Sequence, residues 1–163
     1  MKRLIILRGN SGSGKTTIAR MLQEKLGRTT MLLSQDTLRR EMLRAKDTTN
    51  HPGGKLLQAM ARFGWENGYH TVLVEGIWSK TKYELHLKEL IQEADRTFLY
   101  YLDVPFEETV LRHNTKPVAD EYGEAQLREW WLPKDYLGIE GEILLDEKYT
   151  EEMIIGRILK ELV

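Results

Sequence analysis

Leu4-Ile5-Ile6-Leu7 is followed, from Gly9 to Thr16, by Gly-Asn-Ser-Gly-Ser-Gly-Lys-Thr, which matches G-x-x-x-x-G-K-[ST] at every fixed position. The apolar run has the length of a buried strand. The glycines after it let the backbone curl, so that consecutive N–H groups point into one pocket. The helix expected next adds the positive end of its dipole to that pocket. The stretch therefore predicts a strand, a phosphate-binding loop and a helix in succession.

Two side chains of this phosphate loop (Gly9 to Thr16) have roles that its chemistry defines. Lys15 would reach the β- and γ-phosphates of a nucleotide. The Thr16 hydroxyl would be a ligand of Mg²⁺, which prefers hard oxygen donors and keeps most of its waters. We expect contacts with the nucleotide from the whole loop and from the residue after it: Gly9, Asn10, Ser11, Gly12, Ser13, Gly14, Lys15, Thr16 and Thr17.

Five apolar runs of strand length alternate with helical patterns along the chain. They are Leu4 to Arg8, Thr30 to Ser34, Thr71 to Glu75, Thr97 to Asp103 and a weaker Ile143 to Leu145. Apolar stripes of helical period lie between them, and the last helix is expected to begin with Thr150 as its N-cap. This alternation predicts an α/β fold with a parallel sheet and crossover helices.

Length and composition limit the classes to which the protein can belong. A chain of 163 residues predicts one domain, residues 1–163. With no cysteine, a thiol nucleophile or a Cys-ligated zinc site is excluded, and nothing suggests an oxidising compartment. The net charge of −1 argues against a duplex-DNA-binding protein, although it leaves room for a local basic groove. No apolar run has the length of a signal-peptide core or a membrane span, so we expect a cytoplasmic protein with no membrane partner.

One region interrupts the alternation of strands and helices. Between Asn114 and Gly141 the chain has several prolines and glycines, a short helical piece from about Glu124 to Trp131, and no strand pattern. This predicts an excursion over the surface, and next to a phosphate loop it predicts a lid, approximately residues 113–141. Trp130 and Trp131 either anchor this lid segment to the body or present one ring for stacking on a base or sugar.

Ligands of open parallel sheets bind beyond the carboxyl ends of the strands, where Asp36 follows the second run. A carboxylate there can accept a hydrogen bond from an attacking hydroxyl and orient it for phosphoryl transfer, so Asp36 is the candidate catalytic base. Its alternative role is to cap the helix that begins at Thr37. Arg39 and Arg40 follow on that helix, with Arg40 and Arg44 on one face. They either bind a phosphate or carboxylate of the acceptor or form a solvated surface.

Glu75 ends the third apolar run, where a Walker B acid would lie. Such an acid holds Mg²⁺ directly or through water. The usual residue is Asp, so a role for Glu75 on the substrate side stays open, as does a purely structural role with a buried partner. Arg112, His113 and Lys116 form a basic cluster at the mouth of the lid segment. These cations would neutralise charge on the transferred group, stack on the adenine or lie on solvated surface.

Four motifs in this order resemble the small phosphate-loop kinases, a group that includes shikimate and gluconate kinases, chloramphenicol phosphotransferase, the zeta toxins and the 5′-polynucleotide kinases. They are the phosphate loop, Ser34-Gln35-Asp36 through Arg40, Val74-Glu75-Gly76, and Leu102-Asp103-Val104-Pro105 leading to Arg112. The resemblance covers nearly the whole chain. It implies a three-layer α/β/α sandwich whose five-stranded parallel sheet has the order 2-3-1-4-5, with a mobile lid before the fifth strand.

The resemblance also implies roles for individual residues. Lys15 and Thr16 would serve ATP and magnesium, Asp36 would activate the acceptor hydroxyl, and Arg112 would act from the lid. Lys116 stands where many relatives have a second lid arginine, and it keeps the charge but not the bidentate fork. Acceptor contacts would come from Asp36, Arg39, Arg40, Glu75 and Lys116, and metal contacts from Thr16 and Glu75.

The motifs and the resemblance together predict an ATP- and Mg²⁺-dependent kinase that phosphorylates a hydroxyl of a small-molecule acceptor of sugar, nucleoside or antibiotic type. Two alternatives stay open: a 5′-hydroxyl polynucleotide kinase, and a nucleotide-dependent switch or regulatory ATPase. A GTPase is disfavoured because Asn114-Thr115-Lys116-Pro117 lacks the guanine signature. The sequence favours no particular acceptor and no oligomeric state.

Overall fold

A computed structural model describes the backbone of all 163 residues and every side chain except that of Val118. The strands are β1 Arg3–Gly9, β2 Thr30–Ser34, β3 Thr71–Gly76, β4 Arg96–Asp103 and β5 Glu142–Asp146. The helices are α1 Lys15–Leu26, α2 Gly53–Glu66, α3 Lys80–Glu93, α4 Phe106–Asn114, α5 Glu124–Glu129 and α6 Glu151–Glu161. Thr150 caps α6 as predicted, because its Oγ1 accepts a hydrogen bond from Met153 N.

The five strands form one sheet in the order β2-β3-β1-β4-β5, and every pair of neighbours is parallel. The predicted class and strand order are confirmed. β1 lies at the centre with β3 and β4 on either side, so its side chains are buried on both faces. A fully covered central strand explains why this run is continuously apolar rather than alternating.

The alternation of side chains along β1 divides the core into two layers. Leu4 and Ile6 pack on one face of the sheet with residues of α2 and α3, such as Leu57 and Leu87. Ile5 and Leu7 pack on the other face with residues of α1 and α6. The result is the predicted three-layer α/β/α sandwich.

The segment after β2 differs from the prediction. The helix there is short and spans only Thr37–Met42. Its hydrogen bonds join residues five apart, as between Leu43 N and Leu38 O. Arg44 has φ of +49°, which a right-handed helix does not tolerate. Arg40 and Arg44 therefore do not share a helical face, and that part of the prediction is wrong.

The lid segment begins at the end of α4. It contains a helical turn over Pro117–Asp120 and then α5. The helix predicted to reach about Trp131 ends at Glu129. The chain then runs without a helix or strand to β5. Among the described residues, no helix is both long enough and apolar enough to span a bilayer.

Candidate active site

The phosphate loop has glycines at positions where a side chain would not fit. A Cβ on Gly9 would lie 2.8 Å from the carbonyl oxygen of Leu102, and one on Gly12 would lie 2.7 Å from the carbonyl oxygen of Thr109. Gly12 and Gly14 also have φ of +80° and +99°, in the left-handed region. The loop is thus folded tightly against β4 and α4, as a cradle of backbone groups requires.

Lys15 is buried at the first position of α1, with 7% of its surface exposed. Its Nζ donates to the carbonyl oxygen of Asn10 over 2.8 Å and lies 3.4 Å from Ser13 Oγ. Burial disfavours the ammonium and lowers the pKa of Lys15 to about 8, while the carboxylates of Glu75 and Asp36 act in the opposite sense. The ammonium therefore lies in a poorly solvated site where it would interact strongly with an anion.

Glu75 lies at the carboxyl end of β3 and is 3% exposed. Both of its carboxylate oxygens accept hydrogen bonds: Oε1 from Ser34 Oγ over 2.6 Å, and Oε2 from Thr16 Oγ1 over 3.3 Å. Ser34 was not among the predicted site residues. Its register position opposite Glu75 in the parallel β2–β3 pair is the signal that would have identified it.

The residues present fit a magnesium ion. Thr16 and Glu75 bring a hydroxyl and a carboxylate together at the end of the loop. Mg²⁺ in nucleotide-dependent enzymes is bound by one or two such oxygens, the phosphates of the substrate and several waters. Among the described residues, no group of three or more acidic or histidine side chains forms a metal cage made of protein alone.

Asp36 lies two residues after the end of β2, and its side chain is 71% exposed. It makes no capping hydrogen bond to the helical segment that follows, so the capping alternative has no support. Its Oδ1 lies 3.4 Å from Arg40 Nε, whose side chain is half exposed. Arg39 instead donates to the carbonyl oxygen of Ala45 over 3.1 Å and thereby fixes the following loop. The structure therefore leaves Asp36 and Arg40 accessible to an acceptor.

Arg112 contacts the phosphate loop, and Lys116 follows just after the end of α4. Arg112 Nη1 donates to the carbonyl oxygen of Ser13 over 3.0 Å, and its Nε donates to Glu108. Burial lowers the pKa of Lys116, which Glu151 and Glu75 oppose through their charges. Lys116 also contributes to the lowered pKa of Lys15. Arg112 of α4 is therefore in contact with the loop, and the charge of Lys116, in the lid segment, acts on Lys15.

His113 does not belong to this cationic group, which corrects the predicted cluster. It is 1% exposed, its ring stacks on Tyr122, and its Nε2–H donates to the carbonyl oxygen of Tyr122 over 2.6 Å. The tryptophans also pack within this region: Trp131 lies edge-on to Phe106 and Trp130 edge-on to Tyr122. Trp131 therefore anchors the lid segment to α4, whereas Trp130 packs within the lid segment.

Two further contacts of the site were not predicted from the sequence. Arg8, fully buried at the end of β1, donates to Asp135 over 2.7 Å and to the carbonyl oxygen of Trp78 over 3.0 Å. Asn10 of the phosphate loop pairs with both backbone groups of Leu132. A charged residue at the end of an apolar strand indicates that it has a buried partner. The sequence pattern does not identify that partner.

Comparison with known proteins agrees with this geometry. A family model described as an AAA domain matches residues 4–130. No curated protein sequence matches the chain. Among solved structures, the APS kinase CysC of Mycobacterium tuberculosis in complex with AMPPNP and APS superposes with a TM-score of 0.68 at 17% identity, covering 99% of this chain and 97% of that one.

Two other kinases have the same fold. The gluconokinase of Sinorhizobium meliloti 1021 has a TM-score of 0.65 at 15% identity, over 97% of this chain and 94% of that one. The shikimate kinase of Acinetobacter baumannii in complex with shikimate has a TM-score of 0.60 at 22% identity, over 99% and 93%. At these identities the likeness establishes the fold shared with small phosphate-loop kinases. Since the family model matches more than half of this chain, the chain belongs to the AAA domain family.

Proposed function

We propose that this protein is an ATP- and Mg²⁺-dependent kinase that transfers the γ-phosphoryl group to a hydroxyl of a small-molecule acceptor. One observation carries the proposal: Lys15 is buried in the phosphate loop, the Thr16–Glu75 pair lies at the end of that loop, and the charges of Glu75 and of the exposed Asp36 both act on Lys15. This arrangement supports a triphosphate site close to a group able to accept a proton. Phosphoryl transfer needs both.

On the nucleotide side, the backbone N–H groups of the phosphate loop bind the phosphate oxygens, and Lys15 places its ammonium on the β- and γ-phosphates. Because Lys15 is buried, its attraction for the phosphates is weakly screened. Thr16 and Glu75 would hold Mg²⁺, which supplies charge neutralisation on the phosphates when bound. Ser34 fixes the orientation of Glu75.

On the acceptor side, Asp36 accepts the proton of the attacking hydroxyl and orients its oxygen in line. A bond forms between this oxygen and the γ-phosphorus, and the bond from the γ-phosphorus to the β,γ-bridging oxygen breaks, releasing ADP. Arg40, which lies 3.4 Å from Asp36, orients the carboxylate and contacts the acceptor. The acceptor class is a sugar, nucleoside or antibiotic, and the binding of APS or shikimate by proteins of this fold supports a small acceptor.

Arg112, near the end of α4, and Lys116, in the lid segment, would supply positive charge beside the transferred group. Charge stabilisation of this kind is most effective where water is excluded. We assign the lid segment, residues 113–141, to the same domain as the phosphate loop and to this closing role.

A mass-spectrometric screen tests the proposal. The protein is incubated with ATP and Mg²⁺ and with panels of sugars, nucleosides and antibiotics, and each compound is examined for gain of one phosphoryl group. 5′-Hydroxyl oligonucleotides form a separate panel. We expect a product in the small-molecule panels, whereas a product only with oligonucleotides would establish the polynucleotide kinase alternative. ATP binding without acceptor-stimulated turnover in any panel would favour the regulatory ATPase alternative.

Two aspartate variants test the assignment of the base on the acceptor so identified. Asp36→Asn removes the proton acceptor, and we expect kcat to fall by about 100-fold or more. Asp95→Asn is the matched control, because Asp95 is an exposed aspartate that contacts the backbone of Lys2 before β4. An Asp36→Asn enzyme with the native rate would show that Asp36 is not the base.

A further inference from the structure

Both stems of the lid segment are attached to the phosphate loop itself. The stem that leaves the body is α4, and the stem that returns is the chain around Leu132. Each contacts a variable position of the loop, Ser13 in one case and Asn10 in the other. The contact at Ser13 uses its backbone carbonyl, whereas the contact at Asn10 uses a side chain that the motif does not specify, so the Asn10 pairing is a property of this chain.

The outgoing stem packs against the loop through its backbone. The carbonyl oxygen of Thr109 approaches Gly12 so closely that a Cβ there would lie 2.7 Å from it. One turn later, Arg112 Nη1 donates to the carbonyl oxygen of Ser13 over 3.0 Å. Thr109 is fully buried, so this end of α4 has no freedom to move away from the loop.

The returning stem is held by the side-chain amide of Asn10, which is 5% exposed. Asn10 Nδ2 donates to the carbonyl oxygen of Leu132, and Leu132 N donates to Asn10 Oδ1, each over 2.8 Å. The amide thus acts as a second peptide group, paired with the lid chain as a neighbouring strand would be.

The contacts of the chain change at Leu132. Before it, Trp130 and Trp131 pack on Tyr122 and Phe106, which belong to the lid segment and to α4. After Leu132, Asp135 and Tyr136 form hydrogen bonds with residues outside the lid segment. Asp135 accepts from Arg8 over 2.7 Å and from Lys80 N over 3.0 Å, and Tyr136 Oη donates to Asp103 over 2.6 Å.

We propose that Asn10 is a positioning residue that fixes the returning stem of the lid at Leu132 and couples residues 115–131 to the nucleotide in the phosphate loop. This rests on the proposed function, because it takes the loop to be the ATP site. Lys15 supplies the link: its Nζ donates to the carbonyl oxygen of Asn10 over 2.8 Å, so the residue assigned to the phosphates also contacts the residue that holds the lid.

Hydrogen exchange measured by mass spectrometry tests the coupling. Amide exchange over residues 115–131 is compared with and without AMPPNP and Mg²⁺, for the wild type and Asn10→Ala, at nucleotide concentrations shown by calorimetry to saturate each protein. We expect nucleotide to slow exchange in the wild type by about 5- to 150-fold, the usual range of coupling between sites. In Asn10→Ala the ratio should fall close to one.

Tyr136→Phe is the matched control. It removes the Tyr136–Asp103 hydrogen bond, which lies in the same returning chain, but keeps the Asn10–Leu132 pair, so the response to nucleotide should persist. Should Asn10→Ala not fold or not bind, Asn10→Ser replaces it, because a hydroxyl is too short to bridge both backbone groups of Leu132. The same loss of response is then expected.

The outcomes separate the two proposals. A wild type that does not bind AMPPNP contradicts the proposed function, and the role of Asn10 falls with it. A wild type whose lid responds to nucleotide, together with an Asn10 variant that responds equally, leaves the proposed function intact and overturns the positioning role. Loss of the response in Tyr136→Phe as well would also overturn it, because the coupling would then not be specific to Asn10.

Discussion

Ser34 Oγ donates to Glu75 Oε1 over 2.6 Å and so ties the last residue of the edge strand β2 to the acid of β3. The other oxygen of the same carboxylate, Oε2, accepts from Thr16 Oγ1. The carboxylate of Glu75, in β3, is therefore held in one orientation by a residue of β2 and a residue of α1. Groups that hold a ligand of a metal in this way affect affinity nearly as much as the ligand itself.

Ser34→Ala removes this support, and we expect the Mg²⁺ concentration needed for half-maximal ATP turnover to rise by about 10-fold or more. The measurement is ATP hydrolysis or transfer as a function of Mg²⁺ at fixed ATP. Ser79→Ala is the control, since Ser79 is also a buried serine but its hydroxyl has no partner among the described residues. An unchanged Mg²⁺ requirement in Ser34→Ala would contradict the role given to Ser34.

The buried ammonium of Lys15 predicts a pH-dependent stability. Burial lowers its pKa from 10.5 to about 8. Between these values the unfolded chain binds more protons than the folded one, so this group makes stability rise with pH. The free-energy cost of burying the charged ammonium is fully present below pH 8 and disappears near pH 10.5. The shift corresponds to roughly 3 kcal/mol.

Lys15→Met removes this effect. We expect the difference in unfolding free energy between variant and wild type to change by roughly 3 kcal/mol from pH 7 to pH 10.5, in favour of the wild type at high pH. Urea denaturation at intervals of one pH unit measures it, with the exposed-lysine variant Lys88→Met as the control for the substitution itself. A difference that is constant across this range would show that the ammonium is not desolvated.

The close approach of Thr109 to Gly12 predicts a specific intolerance. Gly68→Ala introduces a Cβ at a similar φ, +88°, where no atom lies within 4 Å, so it should cost only the left-handed strain of about 1 kcal/mol. Gly12→Ala adds a clash with a backbone carbonyl and should cost clearly more. Because α4 must move, it should also weaken nucleotide binding. Urea denaturation and calorimetry with AMPPNP measure both effects, and equal costs for the two variants would contradict the close approach.

The buried Arg8–Asp135 pair predicts a large loss of stability. Arg8→Met leaves Asp135 and the nearby Glu142 without their cation, and we expect the unfolding free energy to fall by about 3–5 kcal/mol. Arg62→Ala breaks the exposed pair with Glu93 and should leave the denaturation midpoint unchanged. Similar midpoints for Arg8→Met and the wild type would show that the buried pair contributes nothing.

Much of the fold followed from local patterns. The phosphate-loop motif fixed β1, the loop and α1, and the predicted ends of the β2 and β3 runs lie within one residue of those observed. The strand order came from the resemblance, because periodicity within a run does not say which strands are neighbours. The early end of the helix after Asp36 was missed, since it depends on one residue, Arg44, taking a left-handed backbone.

The site was predictable where its residues lie next to strands in the sequence, as Lys15, Asp36 and Glu75 do. The contacts Asn10–Leu132 and Arg8–Asp135 join residues 122 and 127 positions apart. Leu132 and Asp135 lie in a stretch with no helix or strand. Such a stretch carries no periodic signal, and its position is decided by single hydrogen bonds to the body.

The alternation of side chains at the ends of β1 and β3 places two buried polar clusters on opposite faces of the sheet. Glu75 pairs with Leu7 and points to the face covered by α1, whereas Arg8 lies on the opposite face with Trp78 and α3. The sheet thus separates the Thr16–Glu75–Ser34 cluster from the Arg8–Asp135 pair. Substitutions around one cluster can therefore accumulate without disturbing the other. An insertion of one residue in β3 would exchange the faces and abolish both.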